Sequence, residues 1–343
     1  MKALVLEAYS EFSYREVPEP EIGPNDVRVR VRATGICGSD IHGMDGSSGR
    51  RIPPLIMGHE SAGVISAVGD AVTDWQVNDR VTFDSTIYCG TCHYCQRGEM
   101  NLCDHRRVLG VAPGEYRQHG AFAEYIAVPQ HILYRLPDAL SFEEAAFVEP
   151  VSIAVHAVAR TPISLNDTAV VVGSGMIGLL VVQVLRAAGC GKIIAVDVNA
   201  ERLQLALELG ADVALNPDQD DALAAIQETT DGRGADIAFE VVGITPTLQT
   251  AVNSVRKGGA ITLVGNLKPE AVLPLQAVVT RELTLYGSCA SQGEYPACLA
   301  MLARGDIDVS PLTSAVVPLS EGAQWFHRLY KGDENLLKVI LTP

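Results

Sequence analysis

Four of the eight cysteines, Cys89, Cys92, Cys95 and Cys103, fall in one short segment at C-x2-C-x2-C-x7-C spacing. Four converging thiolates complete a tetrahedral shell around zinc and leave no open position, the pattern of a structural site. An iron–sulfur cluster or a disulfide pair would use the same residues, and His93 and His105 lie near enough in sequence to substitute for a cysteine. In a reducing compartment such a cluster binds metal more readily than it forms disulfides. A second set has different chemistry. Cys37 stands in Gly35-Ile36-Cys37-Gly38-Ser39-Asp40-Ile41-His42, and His59, 22 residues later, opens the pair His59-Glu60. Thiolate, imidazole and carboxylate form a mixed shell that keeps a position free for water or substrate. Glu149, in Ala146-Phe147-Val148-Glu149-Pro150, is a further candidate, because an unpaired acid in so apolar a stretch is costly. Its alternative role is to cap a helix expected to begin near Val151.

A third pattern binds phosphate. Val170-Val171-Val172-Gly173-Ser174-Gly175-Met176-Ile177-Gly178 is G-x-G-x-x-G at the end of an apolar run and the start of a helical one. Gly173 permits the tight turn, Gly175 lets the backbone approach a pyrophosphate, and Gly178 allows close packing of helix on strand. The free N–H groups and positive dipole of the helix N-terminus favour the phosphates. Asp197, 19 residues beyond Gly178, ends the next strand and is placed to accept from both ribose hydroxyls, which favours NAD over NADP. Arg202 opposes this, since a nearby arginine can serve a 2′-phosphate.

The elements that position these residues differ between two regions. Up to about residue 150, short alternating runs such as Val27-Arg28-Val29-Arg30-Val31-Arg32 mark half-buried strands, with Gly63–Gly69 and Ala123–Val128 as further examples. Strand and helix then alternate from about 168: strands at 168–172, 192–196, 236–240, 260–264 and 283–286, helices at 176–188, 200–209 and 245–255. Such alternation predicts a parallel sheet covered by helices on both faces. A last segment, about 291–343, holds a helix over 295–303 and a strand at Lys338-Val339-Ile340-Leu341.

The 343 residues carry a formal net charge of −15, with 48% hydrophobic and 6% aromatic residues. This excludes a disordered chain, and it argues against nucleic acid or an anionic membrane surface as partner, since both need a basic footprint. The opening run Met1–Glu7 is too short for an export signal, and the reducing cytoplasm is the expected compartment. Arg50 and Arg51 read as solvated loop charges. His119, His131, His156, His327, Cys190, Cys289 and Cys298 read as structural, or at most as packing near the cofactor.

Together these motifs resemble the zinc-dependent medium-chain dehydrogenases, in particular the sorbitol (L-iditol) and L-threonine dehydrogenase branch. The resemblance spans nearly the whole chain. It implies an α/β protein with a GroES-like β-rich catalytic domain, residues 1–150 and 291–343, carrying a zinc lobe at about 88–104. A Rossmann domain with a doubly wound parallel sheet would occupy 151–290. The implied cofactors are two Zn²⁺ per chain and NAD. Cys37, His59 and Glu60 would hold the catalytic zinc, with Glu149 near enough to bind it or its water. Ser39 and His42 match a proton relay that runs through the cofactor ribose to solvent. Ile177, Asp197 and Arg202 match NAD-contacting positions, and Val264, Gly265, Asn266, Ser288 and Cys289 match segments lining the nicotinamide. The implied reaction moves a hydride between NAD and a secondary hydroxyl of a polyol or sugar-derived alcohol, in a homodimer or homotetramer. Threonine-type amino alcohol oxidation, general secondary alcohol oxidation and a catalytically silent NAD-binding sensor are the alternatives. Sorbitol and threonine dehydrogenases generally carry a substrate-facing arginine after the last Rossmann strand, whereas this chain reads Gly287-Ser288-Cys289-Ala290-Ser291-Gln292.

Overall fold

The structure is a computed structural model that describes residues 1–332 and 335–343. The chain divides into two units. The first comprises Met1–Glu149, Tyr295–Gly305 and Val309–Pro343, and the second Pro150–Glu294 with Asp306–Asp308. The division at Glu149 falls inside the helix Val148–Ala159, which starts earlier than the sequence predicts because Pro150 is tolerated in a first turn.

The first unit is built on a seven-stranded sheet. Its strands run in the order Leu133–Arg135, Arg80–Phe83, Glu60–Val68, Asp26–Gly35, Lys338–Thr342 and Thr313–Pro318, while Tyr125–Pro129 also pairs with Asp26–Gly35. Alternation decides the faces. Val27, Val29 and Val31 are buried with Ile65, Val81, Phe83, Ile126 and Val128, and the intervening arginines take the other face. Each buried valine contributes about 1.5 kcal/mol or more. A second apolar cluster gathers Leu4, Leu6, Ile41, Met44, Met57 and Phe122 with Phe326, Val339 and Leu341. The core of this unit thus joins residues from both ends of the sequence. A two-stranded antiparallel pair, Thr86–Ile87 with Arg107–Val108, holds the base of the cysteine lobe.

The second unit is a six-stranded parallel sheet in the order Val213–Leu215, Lys192–Val196, Thr168–Val172, Ala235–Glu240, Val255–Leu263 and Thr284–Gly287. Strand Thr168–Val172 lies at its centre and is almost wholly apolar, as a strand covered on both faces must be. At Gly178 a Cβ would come 1.8 Å from the Gly173 carbonyl oxygen, so only glycine lets the helix Met176–Ala187 sit this close to the turn. No helix among the described residues is long and apolar enough to cross a membrane.

Candidate active site and metal centres

The cysteine lobe gathers its four sulfurs. Cys92 caps the short helix His93–Gln96, and a single 3₁₀ turn, Met100–Leu102, returns the chain to Cys103. Cys89 Sγ lies 4.0 Å from Cys95 Sγ, and Cys92 Sγ lies 3.9 Å from Cys103 Sγ. These separations are about twice a disulfide bond, and no disulfide joins any of the eight cysteines. They suit one ion with four sulfurs at about 2.3 Å, for which tetrahedral geometry places neighbouring sulfurs about 3.8 Å apart. Backbone amides already aim at the sulfurs: Thr91 N at 3.5 Å and Cys92 N at 3.3 Å donate to Cys89, and Cys89 N and His105 N, each at 3.3 Å, donate to Cys103. The Thr91 amide leads in pulling the Cys89 thiol down to about 5, while burial and then the Cys92 sulfur push Cys95 up to about 12. The sulfurs cannot all ionise together without a cation among them. The donor set therefore fits zinc.

At the second set, Cys37 is the N-cap of the helix Gly38–Met44. The capping box is reciprocal: Ser39 N donates to Cys37 Sγ at 3.5 Å, and Cys37 N donates to Asp40 Oδ2 at 3.3 Å. The helix start thereby fixes the thiol. His59 and Glu60 enter at the head of strand Glu60–Val68, and donor atoms of Cys37, His59 and Glu60 lie within 4.8 Å of one another. The buried His59 Nδ1 makes no hydrogen bond, but it lies 3.4 Å from Asp40 Oδ1. Burial alone would lower the His59 pKa, yet Asp40 and Cys37 hold it well above its ordinary value. Thiol, imidazole and carboxylate thus converge with His59 Nδ1 left without a hydrogen-bond partner, a donor set that a divalent metal fits.

Two further side chains tie this set together. Lys338 Nζ donates to Glu60 Oε2 at 2.5 Å and to the Ile36 carbonyl at 3.2 Å, from the strand Lys338–Thr342. Asp40, fully buried, faces His59 on one side and Arg51 on the other. Burial would raise its carboxyl, but His59 and then Arg51 outweigh that and hold it at about 2. Arg50 is exposed, as expected. Arg51 corrects the reading of a solvated charge: it is only 4% exposed and pairs with Asp40 at 3.0 Å.

Glu149 sits in the first turn of Val148–Ala159, partly buried, and accepts a hydrogen bond from Ser85 Oγ at 3.4 Å. It lies outside the tight group of Cys37, His59 and Glu60. Burial pushes its carboxyl up to about 7; His59 opposes the rise, and Glu60 and Asp84 add to it. Ser39 and His42 are three residues apart on the exposed side of Gly38–Met44, hence on one helix face.

In the second unit the glycine-rich turn follows strand Thr168–Val172, and Gly175 caps the helix that follows. Ile177 lies in that helix's first turn. Asp197 is held in place by two amides: Ser174 N donates to Oδ2 at 2.6 Å, and Asn199 N to Oδ1 at 2.9 Å. Asn199 in turn caps the helix Ala200–Glu208 by accepting from Arg202 N at 3.0 Å. Val264, Gly265 and Asn266 leave the strand Val255–Leu263, and the Glu240 carbonyl accepts from Val264 N at 2.9 Å and Gly265 N at 3.0 Å. Ser288 and Cys289 follow the edge strand, and Ser288 N donates to the Leu263 carbonyl at 3.0 Å. All these segments emerge at the carboxyl ends of parallel strands, where such sheets bind ligands. His156 is buried and paired with Glu294 at 2.6 Å, in keeping with a structural role. A cavity of about 790 Å³ in the first unit, lined by Arg15, Pro54, Arg117, His119 and Tyr125 among others, contains none of the site residues.

Sequence reasoning missed Asp40, Lys338, Arg51 and Glu240. Glu240, buried at a strand end, accepts through Oε1 from Val242 N, Gly243 N and Thr247 Oγ1 and so shapes the loop beside Val264. Its only signal was an acid ending an apolar strand.

Comparison with known proteins agrees with this chemistry. Residues 23–138 match the alcohol dehydrogenase GroES-like domain, and residues 177–304 match the zinc-binding dehydrogenase domain. The chain is 36% identical to sorbitol dehydrogenase of Bacillus subtilis over 348 aligned positions, covering 100% of this chain and 97% of that protein. It is 38% identical to L-idonate 5-dehydrogenase of Vitis vinifera, covering 85% and 81%. Among solved structures it resembles the alcohol dehydrogenase TADH of Thermus sp. ATN1, with a TM-score of 0.93, 34% identity and coverage of 100% and 99%. The chain belongs to the zinc-dependent medium-chain dehydrogenases, in the polyol dehydrogenase branch, and is an oxidoreductase acting on CH–OH groups of small molecules.

Proposed function

We propose that the chain moves a hydride between NAD and a secondary hydroxyl of a polyol or sugar-derived alcohol. The observation that carries this reading is the convergence of Cys37, His59 and Glu60 beside an exposed serine, in a chain related over its full length to a sorbitol dehydrogenase. Zinc held by these three residues would act as a Lewis acid and bring deprotonation of a hydroxyl within reach of neutral pH. Lys338 and Asp40 keep Glu60 and His59 oriented toward the donor set. Ser39 takes the proton of the substrate hydroxyl, and His42, on the same helix face, passes it on to solvent. Glu149 is a carboxylate poised near neutrality beside the donors, suited to exchange with a substrate that offers two neighbouring hydroxyls. The four-cysteine lobe takes a second, structural zinc.

Asp197 accepts from the ribose hydroxyls of NAD, and Gly173, Gly175 and Gly178 leave room for its pyrophosphate. The NAD preference rests on that acid, which meets a 2′-phosphate as like charge meets like. A homodimer or homotetramer is supported by the exposed edge strand Thr284–Gly287 and the exposed Val272, Leu275 and Val279 in the same unit. Four clustered thiols placed to ligate a metal favour the reducing cytoplasm. The deciding experiment is a screen of NAD⁺ and NADP⁺ against polyols, sugar acids, inositols, threonine and simple secondary alcohols. A polyol or sugar acid should have the highest kcat/KM. A monohydric alcohol or threonine at the top overturns the substrate class, and NADH binding without turnover of any alcohol overturns catalysis.

A further inference from the structure

The backbone of Arg51 forms an isolated bridge with Ala112, and Ala112 N donates to the Arg50 carbonyl at 3.0 Å. From this fixed base the side chain threads past Gly43. A Cβ at Gly43 would come 2.7 Å from Arg51 Cδ and 3.1 Å from Nε, so the absence of a side chain there makes the channel. The guanidinium ends against the first turn of Gly38–Met44, with Nη2 3.1 Å from Ser39 Oγ and 3.0 Å from Asp40 Oδ1. Asp40 is fully buried, so the pair is anchored, while Ser39 is exposed on its far side.

A guanidinium carries five donors and no acceptor, so Ser39 Oγ can only accept from it. The hydroxyl hydrogen must point elsewhere, and Cys37 Sγ, 3.4 Å from Ser39 Oγ, is an acceptor in the same turn. We propose that Arg51 is a positioning residue that fixes the donor–acceptor direction of Ser39. It fills one lone pair of the hydroxyl, leaving one to receive a substrate proton and one hydrogen to hand on. The inference rests on the proposed function, in which Ser39 receives that proton. In the step, the substrate O–H bond breaks and its proton joins Ser39 Oγ, while the serine's own hydrogen turns away from Cys37 Sγ and leaves through His42 to solvent. Arg51 neither gains nor loses a proton. An unrestrained serine samples three rotamers and must find the productive one each turnover; here the choice is made before substrate arrives.

The test compares zinc-loaded wild type, Arg51→Lys, Ser39→Ala and the double variant on the best substrate, with crystal structures of wild type and Arg51→Met. Lysine keeps a positive charge opposite Asp40, but its freely rotating ammonium lacks the planar group that directs the two Nη2 hydrogens at Ser39 Oγ and Asp40 Oδ1. Arg51→Lys should lower kcat about tenfold, the cost of one charge-assisted hydrogen bond in the transition state. KM and zinc content should stay within about twofold, and the solvent deuterium isotope effect on kcat should rise. In the Ser39→Ala background the same substitution should change kcat less than about twofold, because its target is gone. In the Arg51→Met crystal, Ser39 should spread over more than one rotamer. Equal losses in both backgrounds, zinc content falling in step with kcat, or a single Ser39 rotamer in Arg51→Met would each overturn the inference. If Arg51→Met does not fold, the kinetics of the lysine variants decide. A wild type inert on every alcohol sinks the proposed function, and the rotamer comparison then still decides the role of Arg51.

Discussion

At the scale of single residues, Asp197 and Glu149 carry the sharpest expectations. Asp197 is held by two backbone amides, Ser174 N of the glycine-rich turn and Asn199 N, which fix its carboxylate in the orientation proposed to meet a ribose. Asp197→Ala should lower the ratio of kcat/KM for NAD⁺ over NADP⁺ by about tenfold or more, with Arg202 then free to favour the phosphate. A wild type that prefers NADP⁺ contradicts the assignment. Glu149 predicts a pH dependence. Burial pushes its carboxyl up to about 7 from the ordinary 4.5, so the folded protein holds this proton more tightly than the unfolded chain does. Its favourable contribution is complete below about pH 4.5 and is lost as pH rises through about 7. In metal-stripped protein, melting curves from pH 5 to 8 should show a decline on the order of 2 kcal/mol that Glu149→Gln removes. Added zinc should cancel it, because a nearby cation favours the carboxylate. A decline of the same size in Glu149→Gln assigns it to another group. What was legible at this scale was local. Cys89 to Cys103 and Gly173 to Gly178 declare themselves by spacing, whereas Lys338 meets Glu60 from 278 residues away. Arg51 misled for the same reason: its burial depends on Gly43 and Asp40, and no rule of composition pairs them.

At the scale of elements, the alternation of the second unit was readable where a short apolar strand leads into a helix, as at Thr168–Val172 and Lys192–Val196. Strands Thr168–Val172 and Lys192–Val196 and helix Met176–Ala187 fall where periodicity puts them. The short pieces were not readable. Val213–Leu215 and the helix Leu275–Thr280 are too brief to show a period, and Gly38–Met44 hides behind two glycines. That last helix matters most, since its capping box sets Cys37, Ser39 and Asp40 at once. Strand Lys338–Thr342 is the other element on which the site depends. Lys338 is 2% exposed, and its removal leaves Glu60 charged and buried without a partner. Lys338→Met should cost about 3–5 kcal/mol, read as a fall in melting temperature. The loss should be larger in metal-free protein, where nothing else balances Glu60. A variant as stable as wild type in both states removes Lys338 from the account.

At the scale of the whole molecule, all the metal donors belong to the first unit and the glycine-rich turn with Asp197 to the second. The two sets of metal donors are chemically independent, so purified protein should hold two zinc ions per chain by elemental analysis. Cys95→Ala should lower the melting temperature and zinc content together, since a closed shell supplies folding energy outright. Cys37→Ala should abolish turnover while the melting temperature falls by only a few degrees. Equal structural damage from both substitutions would contradict this division of labour.

The placement of strand Lys338–Thr342 bears on how the protein is made. It lies between Asp26–Gly35 and Thr313–Pro318, so the first unit's sheet stays split until nearly the last residues of this sequence have been added. Chains grow from the amino end, and domains tend to fold as they emerge. During synthesis the second unit, whose residues all precede 309, is free to fold while the first still waits for its final strand. Throughout that interval Glu60 has no ammonium to meet it. A nascent chain is thus expected to complete its second unit before its first, and one cut short of Lys338 lacks the ammonium that meets Glu60.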